Sequence, residues 1–268
     1  MPSATTTAPS SQANPFIKQL ASSDRKIRDR ALSSLRTYLH RSAVFSELEL
    51  LKLWKGLFFC MWMSDKPLTQ QRLARDLAEL LTVLKGGQNF LGFVDAFWKT
   101  MAREWGGIEA LRMDKFLYLV RCYVGKGFEC VAKREWADEE LIDDYLAILT
   151  AVPLNVRDTK IPNGLRYHVI DVYVDELDKA DTERTVPLVK ILAPLRKLGK
   201  DSFTKAVRTR VQEALDDDRL LDWTNVGAER EEDSAAATAE QANSTADGAS
   251  EMDEDEISDD GEFGGFED

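Results

Sequence analysis

From about Asn14 to about Asp222 apolar residues recur at three- and four-residue spacing, broken every 10–20 residues by a turn signal. That period is the signature of amphipathic helices packed on one another. After Asp24, the residues Ile27, Ala31, Leu32, Leu35 and Leu39 form one stripe, with Arg25, Arg28, Arg36 and Arg41 largely off it. Ser22, Ser23 and Asp24 carry the side-chain acceptors that cap the free N–H groups of a first turn. The same reasoning predicts helices near 46–63, 67–85, 88–104, 111–124, 138–150, 164–178, 185–198 and 202–217. Pro67, Gly86-Gly87, Gly106-Gly107, Gly125/Gly127, Pro153, Pro162-Asn163-Gly164 and Gly199 supply the punctuation. The stretch YHVIDVYV, Tyr167–Val174, is rich enough in Val and Tyr for a strand. Its Val169, Ile170, Tyr173, Val174 and Leu177 nevertheless fit a helical stripe.

The expected class is therefore all-α. Helix pairs of roughly 40 residues suggest antiparallel pairs stacked as an α-solenoid or helical array. LASSDRKIRDRALSSLRTYL, Leu20–Leu39, resembles the second half of a HEAT repeat, with an Asp, Ile-Arg close after it, and Ala-Leu and Leu at helical spacing. A plain helical bundle is the alternative.

One segment stands apart. LWKGLFFCMWMSDKP, Leu53–Pro67, is densely aromatic yet too short to span a bilayer, and Lys55 interrupts it. Projected as a helix, Leu50, Leu53, Trp54, Leu57, Phe58 and Met61 share one face, while Phe59 and Trp62 fall opposite, near Lys52 and Lys55. Gly56 and Cys60 make a narrow strip where another helix can approach. Two apolar faces mean either a helix enclosed on both sides or a second face kept for a partner, with Phe59, Trp62, Lys52 and Lys55 as its candidate residues. Asp65 is the expected cap of the helix beginning at Pro67.

Composition sharpens the domain boundaries. The chain of 268 residues has a net charge of −12, but Glu229–Asp268 holds 16 acidic residues and one basic residue, Arg230. Residues 1–228, with 31 acidic and 34 basic side chains, stand at +3. Three parts follow: a polar leader over 1–13, a helical repeat-like domain over 14–228, and an acidic tail over 229–268. The tail has too little apolar surface to offset its chain entropy, so it is expected to be disordered. Cys60, Cys122 and Cys130 are odd in number, sit in apolar surroundings and form no CxxC pair, which points to buried thiols in a reducing compartment. MPSATTTAPSSQANP lacks the charged and apolar regions of a signal peptide, and no membrane span is expected.

Catalytic chemistry finds little support. His40 and His168 lie in no HExxH, GxSxG or Cys/His cluster. Gly125-Lys126-Gly127 lacks the spacing and Ser/Thr of a phosphate loop and is expected at a helix–helix turn. Asp138, Glu139, Glu140, Asp143 and Asp144 suit the first turns of a helix, where they favour its dipole. The expectation is a non-enzyme with no metal site, no cofactor and no small-molecule substrate. Binding is better supported. Lys190, Arg196, Lys197, Lys200, Lys205, Arg208 and Arg210 face one acidic residue, Asp201, and form a candidate RNA-phosphate surface. A solvated helix face explains them equally well. No RNP motif, KH loop or zinc knuckle is present.

Three segments carry a resemblance: LWKGLFFCMWMSDKPLTQQRLA (Leu53–Ala74), FWKTMAREWGGIEALRMDKFLYLVR (Phe97–Arg121) and IPNGLRYHVIDVYVDEL (Ile161–Leu177). In this order, with the Asn14–Leu39 opening, they resemble the nucleolar ribosomal RNA-processing protein one family over most of residues 14–220. The resemblance implies a nuclear, nucleolar factor acting on large-subunit (60S) pre-ribosomes and needed for pre-rRNA processing. It implies association with pre-rRNA and with assembly factors such as Brix-domain and WD-repeat proteins. It carries over no catalytic residues, and the tail is shorter and less basic than in animal relatives. The rival readings are a nuclease cutting the precursor directly and a protein-only adaptor without RNA contact.

Overall fold

In a computed structural model, residues 15–225 are described, apart from positions 21, 23, 134 and 135. The leader and the acidic tail lie outside the described residues. Among the described residues eleven α-helices are delimited: α1 (Pro15–Leu20), α2 (Arg25–Leu39), α3 (Glu47–Trp62), α4 (Pro67–Glu79), α5 (Gly87–Glu104), α6 (Ala110–Val131), α7 (Glu139–Ala151), α8 (Asn163–Ala180), α9 (Leu188–Ile191), α10 (Ala193–Asp201) and α11 (Lys205–Leu215), and residues 219–225 are also helical. Among the described residues there is no strand, and Tyr167–Val174 lies within α8.

The starts of these helices follow from local side-chain chemistry. The Asp24 carboxylate accepts from Lys26 N at 2.8 Å. Ser46 and Glu49 form a reciprocal capping box at α3. Asp138 accepts from Leu141 N at α7. Helix α4 departs from expectation: its cap position is Lys66, with Pro67 in the first turn and no side-chain cap bond, so Asp65 does not cap it. In α2 Ala31, Leu35 and Leu39 are buried, whereas Ile27 stays 40% exposed.

From α3 to α8 each helix packs mainly on those two places away, whereas α1 packs chiefly on α2 and α10 on α11. Helices α1, α3, α5, α7 and α10 make one row; α4, α6, α8 and α11 make the other, with α2 lying against the 3₁₀ turn Leu80–Val83 that continues α4. The two rows meet through α1 with α2, α3 with α4 and α6, α6 with α7, and α10 with α11. This is the two-layer array expected of stacked helix pairs. Its centre is aromatic. Trp54 lies 5.0 Å from Phe93, 4.8 Å from Phe97 and 5.3 Å from Tyr123 between ring centroids. Trp54 Nε1 donates to the Phe93 carbonyl at 3.1 Å, and Tyr123 OH donates to the same oxygen at 3.3 Å. Both buried polar tips are thereby satisfied.

Two glycine expectations are corrected. Gly125 and Gly127 are not at a turn; they lie inside α6, which runs on to Val131. A Cβ on Gly127 would stand 2.3 Å from the Tyr145 hydroxyl, and one on Gly125 would stand 2.5 Å from a Glu176 carboxylate oxygen. The missing side chains make room for α7 and α8 to close on α6. Gly199 likewise lies within α10, where a Cβ would meet Val211 of α11 at 2.8 Å. The helix expected over 185–198 is broken into α9 and α10, with Pro187 before the first and Pro194 near the start of the second.

Candidate functional site

The aromatic helix α3 buries Leu50, Leu53, Trp54, Gly56, Leu57, Phe58, Cys60 and Met61. Lys52 and Lys55 are exposed, and Phe59 and Met63 are 45% and 62% exposed. Trp62 occupies a margin between these zones. Its ring lies 6.0 Å from Phe58 and 6.3 Å from Phe116, and the Arg112 guanidinium sits 5.0 Å over it. It is half-buried, not free on the surface opposite the core. The helix end is fixed by Lys115 of α6, whose ammonium donates to the Trp62 carbonyl at 2.6 Å and the Ser64 carbonyl at 2.8 Å. These are carbonyls that no further helical turn satisfies. Burial, with Arg112 nearby, lowers the Lys115 pKa. Sequence reasoning missed Met63 and Leu111, the residue before Arg112 in α6, which is 98% exposed.

The basic stretch divides in two. Lys190 is engaged by Glu139 and Asp143 of α7, at 3.2 and 2.9 Å. Arg210 pairs with Asp171 at 3.2 Å and lies over the Tyr167 ring. Arg208 Nη1 donates to the Ser202 carbonyl at 2.7 Å and pins the turn between α10 and α11. These three cations are spent on the fold. Arg196, Lys197 and Lys200 point outward because Pro194, Leu195 and Leu198 take the buried side of α10. Lys205 is exposed at the start of α11, and among the described residues none of these four makes an ion pair. Between Lys200 and Lys205 stands Phe203, 83% exposed. Its sequence signal was a bulky aromatic where the α10–α11 turn needs none.

Other titratable groups serve packing. His168 Nε2 donates to the Leu117 carbonyl at 2.7 Å, and burial lowers its pKa. Burial pushes the Cys60 thiol to about 12 and Cys130 to about 11, far from thiolate chemistry at neutral pH. None of the three cysteines is in a disulfide. Asp181 is buried, and its carboxylate accepts from Trp136 Nε1, Trp223 Nε1, Thr185 N and Val186 N. Arg121 bridges Asp175 and Glu176 of α8, while Arg219 reaches Asp175 and Asp217. Of the acids expected on α7, Asp138 caps the helix and Glu139 and Asp143 hold Lys190. Among the described residues no group of three or more His, Cys, Asp or Glu is placed to hold a metal, and no helix is long and apolar enough to cross a membrane.

Together these features define an all-α array of paired helices that presents a basic edge around one exposed aromatic ring and a separate aromatic margin. The profile of the nucleolar protein family Nop52 matches residues 11–262, and the chain belongs to that family of nucleolar proteins. It is 42% identical over 169 residues to human ribosomal RNA processing protein 1 homolog B, covering 61% of this chain and 22% of that protein. It is 37% identical over 171 residues to human homolog A, covering 62% and 37%. With the Dictyostelium discoideum homolog it shares 30% identity over 220 residues, covering 74% and 44%. The chain thus spans about half or less of the curated relatives it matches.

Proposed function

We propose that this chain is a non-enzymatic nucleolar assembly factor for large (60S) ribosomal subunit precursors, scaffolding other assembly factors and contacting pre-rRNA. The names of its relatives support a role in rRNA processing. The RNA contact is carried by one observation: Arg196, Lys197, Lys200 and Lys205 are exposed around Phe203 and make no ion pair among the described residues. Cations on such an edge release counterions from phosphates, and an exposed ring stacks on an unpaired base. Neither interaction reads sequence, so the pre-ribosome supplies the specificity through its other contacts. Phe59, with Lys52, Lys55 and the rim of Trp62, is the proposed protein-facing surface. Brix-domain and WD-repeat proteins are the partner classes proposed for it.

Protein–RNA crosslinking in cells tests this reading, with crosslinks expected within the Arg196–Lys205 segment. In vitro, replacing Arg196, Lys197, Lys200 and Lys205 with Gln should flatten the salt dependence of single-strand binding by about 0.7 log units per lost phosphate contact. An unchanged slope assigns the edge to solvent or protein. Crosslinks to protein alone favour the adaptor reading, which the exposed Phe59, Met63 and Leu111 support. Mg²⁺-dependent cleavage of precursor RNA, abolished by a carboxylate substitution, would establish the nuclease instead.

A further inference from the structure

On the opposite electrostatic sign to the basic edge, α5 and α7 bound a groove of about 570 Å³. Leu91 of α5 and Leu141 and Ile148 of α7 give it an apolar, half-buried floor. Asp95, Glu140 and Asp144 stand along its rim. Asp95 is matched by Lys99 at 2.7 Å, but Glu140 and Asp144 make no ion pair among the described residues. Glu139 and Asp143 share the single charge of Lys190, so the α7 carboxylates without any cationic partner among the described residues are the two that line the groove.

We infer that this groove docks a short, basic, amphipathic helical segment of a protein partner. The lining runs over residues 87–95 and 138–148, about 12 and 15 Å at the helical rise, which is two to three turns of a guest helix. Apolar residues at i, i+3 and i+4 of such a segment cover Leu91, Leu141 and Ile148, while flanking Lys or Arg meet Glu140 and Asp144. RNA is excluded by the sign of the rim. A second copy of this chain has no matching element in its basic edge, because the exposed face of α10 carries Arg196, Lys197 and Lys200 without an apolar stripe.

The test uses the full chain and a labelled peptide of roughly twelve residues, long enough for about three turns, with Leu at i, i+3, i+4 and Lys elsewhere. A benzophenone placed in the apolar stripe reports where it sits. Binding by fluorescence anisotropy at near-physiological salt should weaken about tenfold in the Glu140→Gln/Asp144→Asn variant, whose changes lie on an exposed helix side. The same peptide composition, scrambled to destroy the stripe, should bind comparably weakly. Crosslinks should map to α5 and α7. Crosslinks confined to residues 229–268, or equal affinity for the striped and scrambled peptides, would overturn the inference, since charge attraction to the acidic tail then suffices.

Discussion

Replacing Trp54 and Trp62 separately with Ala should produce losses of very different size, although both residues lie on one helix eight positions apart. Trp54 is 1% exposed and its ring contacts Phe93, Phe97 and Tyr123. Its removal leaves an indole-sized cavity at the junction of α3, α5 and α6, where the surrounding rings cannot collapse inward together. The expected cost is about 3–5 kcal/mol. The lost hydrogen bond adds little, because Tyr123 OH still donates to the Phe93 carbonyl. Trp62 has two distant ring neighbours and one stacked guanidinium, with part of its ring in water. The cation–π contact contributes about 0.5–1 kcal/mol and the partial burial a similar amount, so about 1–2 kcal/mol is expected. Equilibrium urea unfolding of the full chain, followed by far-UV circular dichroism, measures both. An unchanged urea dependence would show that the denatured state is comparable between variants. Recovery of pre-ribosomal partners should fall for Trp62→Ala under conditions where the variant is still folded. Equal stability losses would refute the distinction and place Trp62 with Trp54 in the core.

Gly127→Ala should destabilise by about 1–2 kcal/mol, because overpacking against Tyr145 outweighs the gain of roughly 1 kcal/mol in helix propensity. Adding Tyr145→Phe, which removes the hydroxyl that a Cβ would meet, should recover part of that loss in the same unfolding assay. Asp181 makes stability acid-sensitive. Burial alone would raise its pKa, but the bonds from Trp223, Val186 and Thr185 outweigh it and hold the carboxyl below its ordinary value. The contribution is therefore complete above the unfolded pKa, near about 3.9, and is lost as pH falls through the lower folded value. Asp181→Asn should blunt that acid dependence and cost about 2 kcal/mol or more at neutral pH, since one amide nitrogen then faces donors that need an acceptor.

Much of the architecture was legible because helix periodicity is written locally. The stripe of α2, the cap at Asp24 and the helix start at Pro67 need no knowledge of distant chain. The glycines of α6 were misread because a residue that permits close approach and one that permits a turn look alike in sequence. Only Tyr145 and Glu176, brought in from α7 and α8, tell them apart. The basic stretch was legible as charge but not as free charge. The acids that occupy Lys190 and Arg210 lie some 40 to 50 residues away in sequence. Phe203 was passed over because exposure depends on whether α10 and α11 leave a neighbour to cover it.

The two-row packing also has a historical consequence. Each helix answers mainly to near neighbours along the chain, so a change in α2 is felt by α1 and the Leu80–Val83 turn and hardly at all by α10 or α11. Selection can therefore revise one pair while its distant companions stay fixed, as a wall can be recoursed brick by brick. The exceptions are α3, which touches α1, α4, α5 and α6, and α6, which touches α3, α4, α7 and α8. Their residues are bound by four sets of neighbours simultaneously, so sequence drift should be slowest there and quickest at the ends.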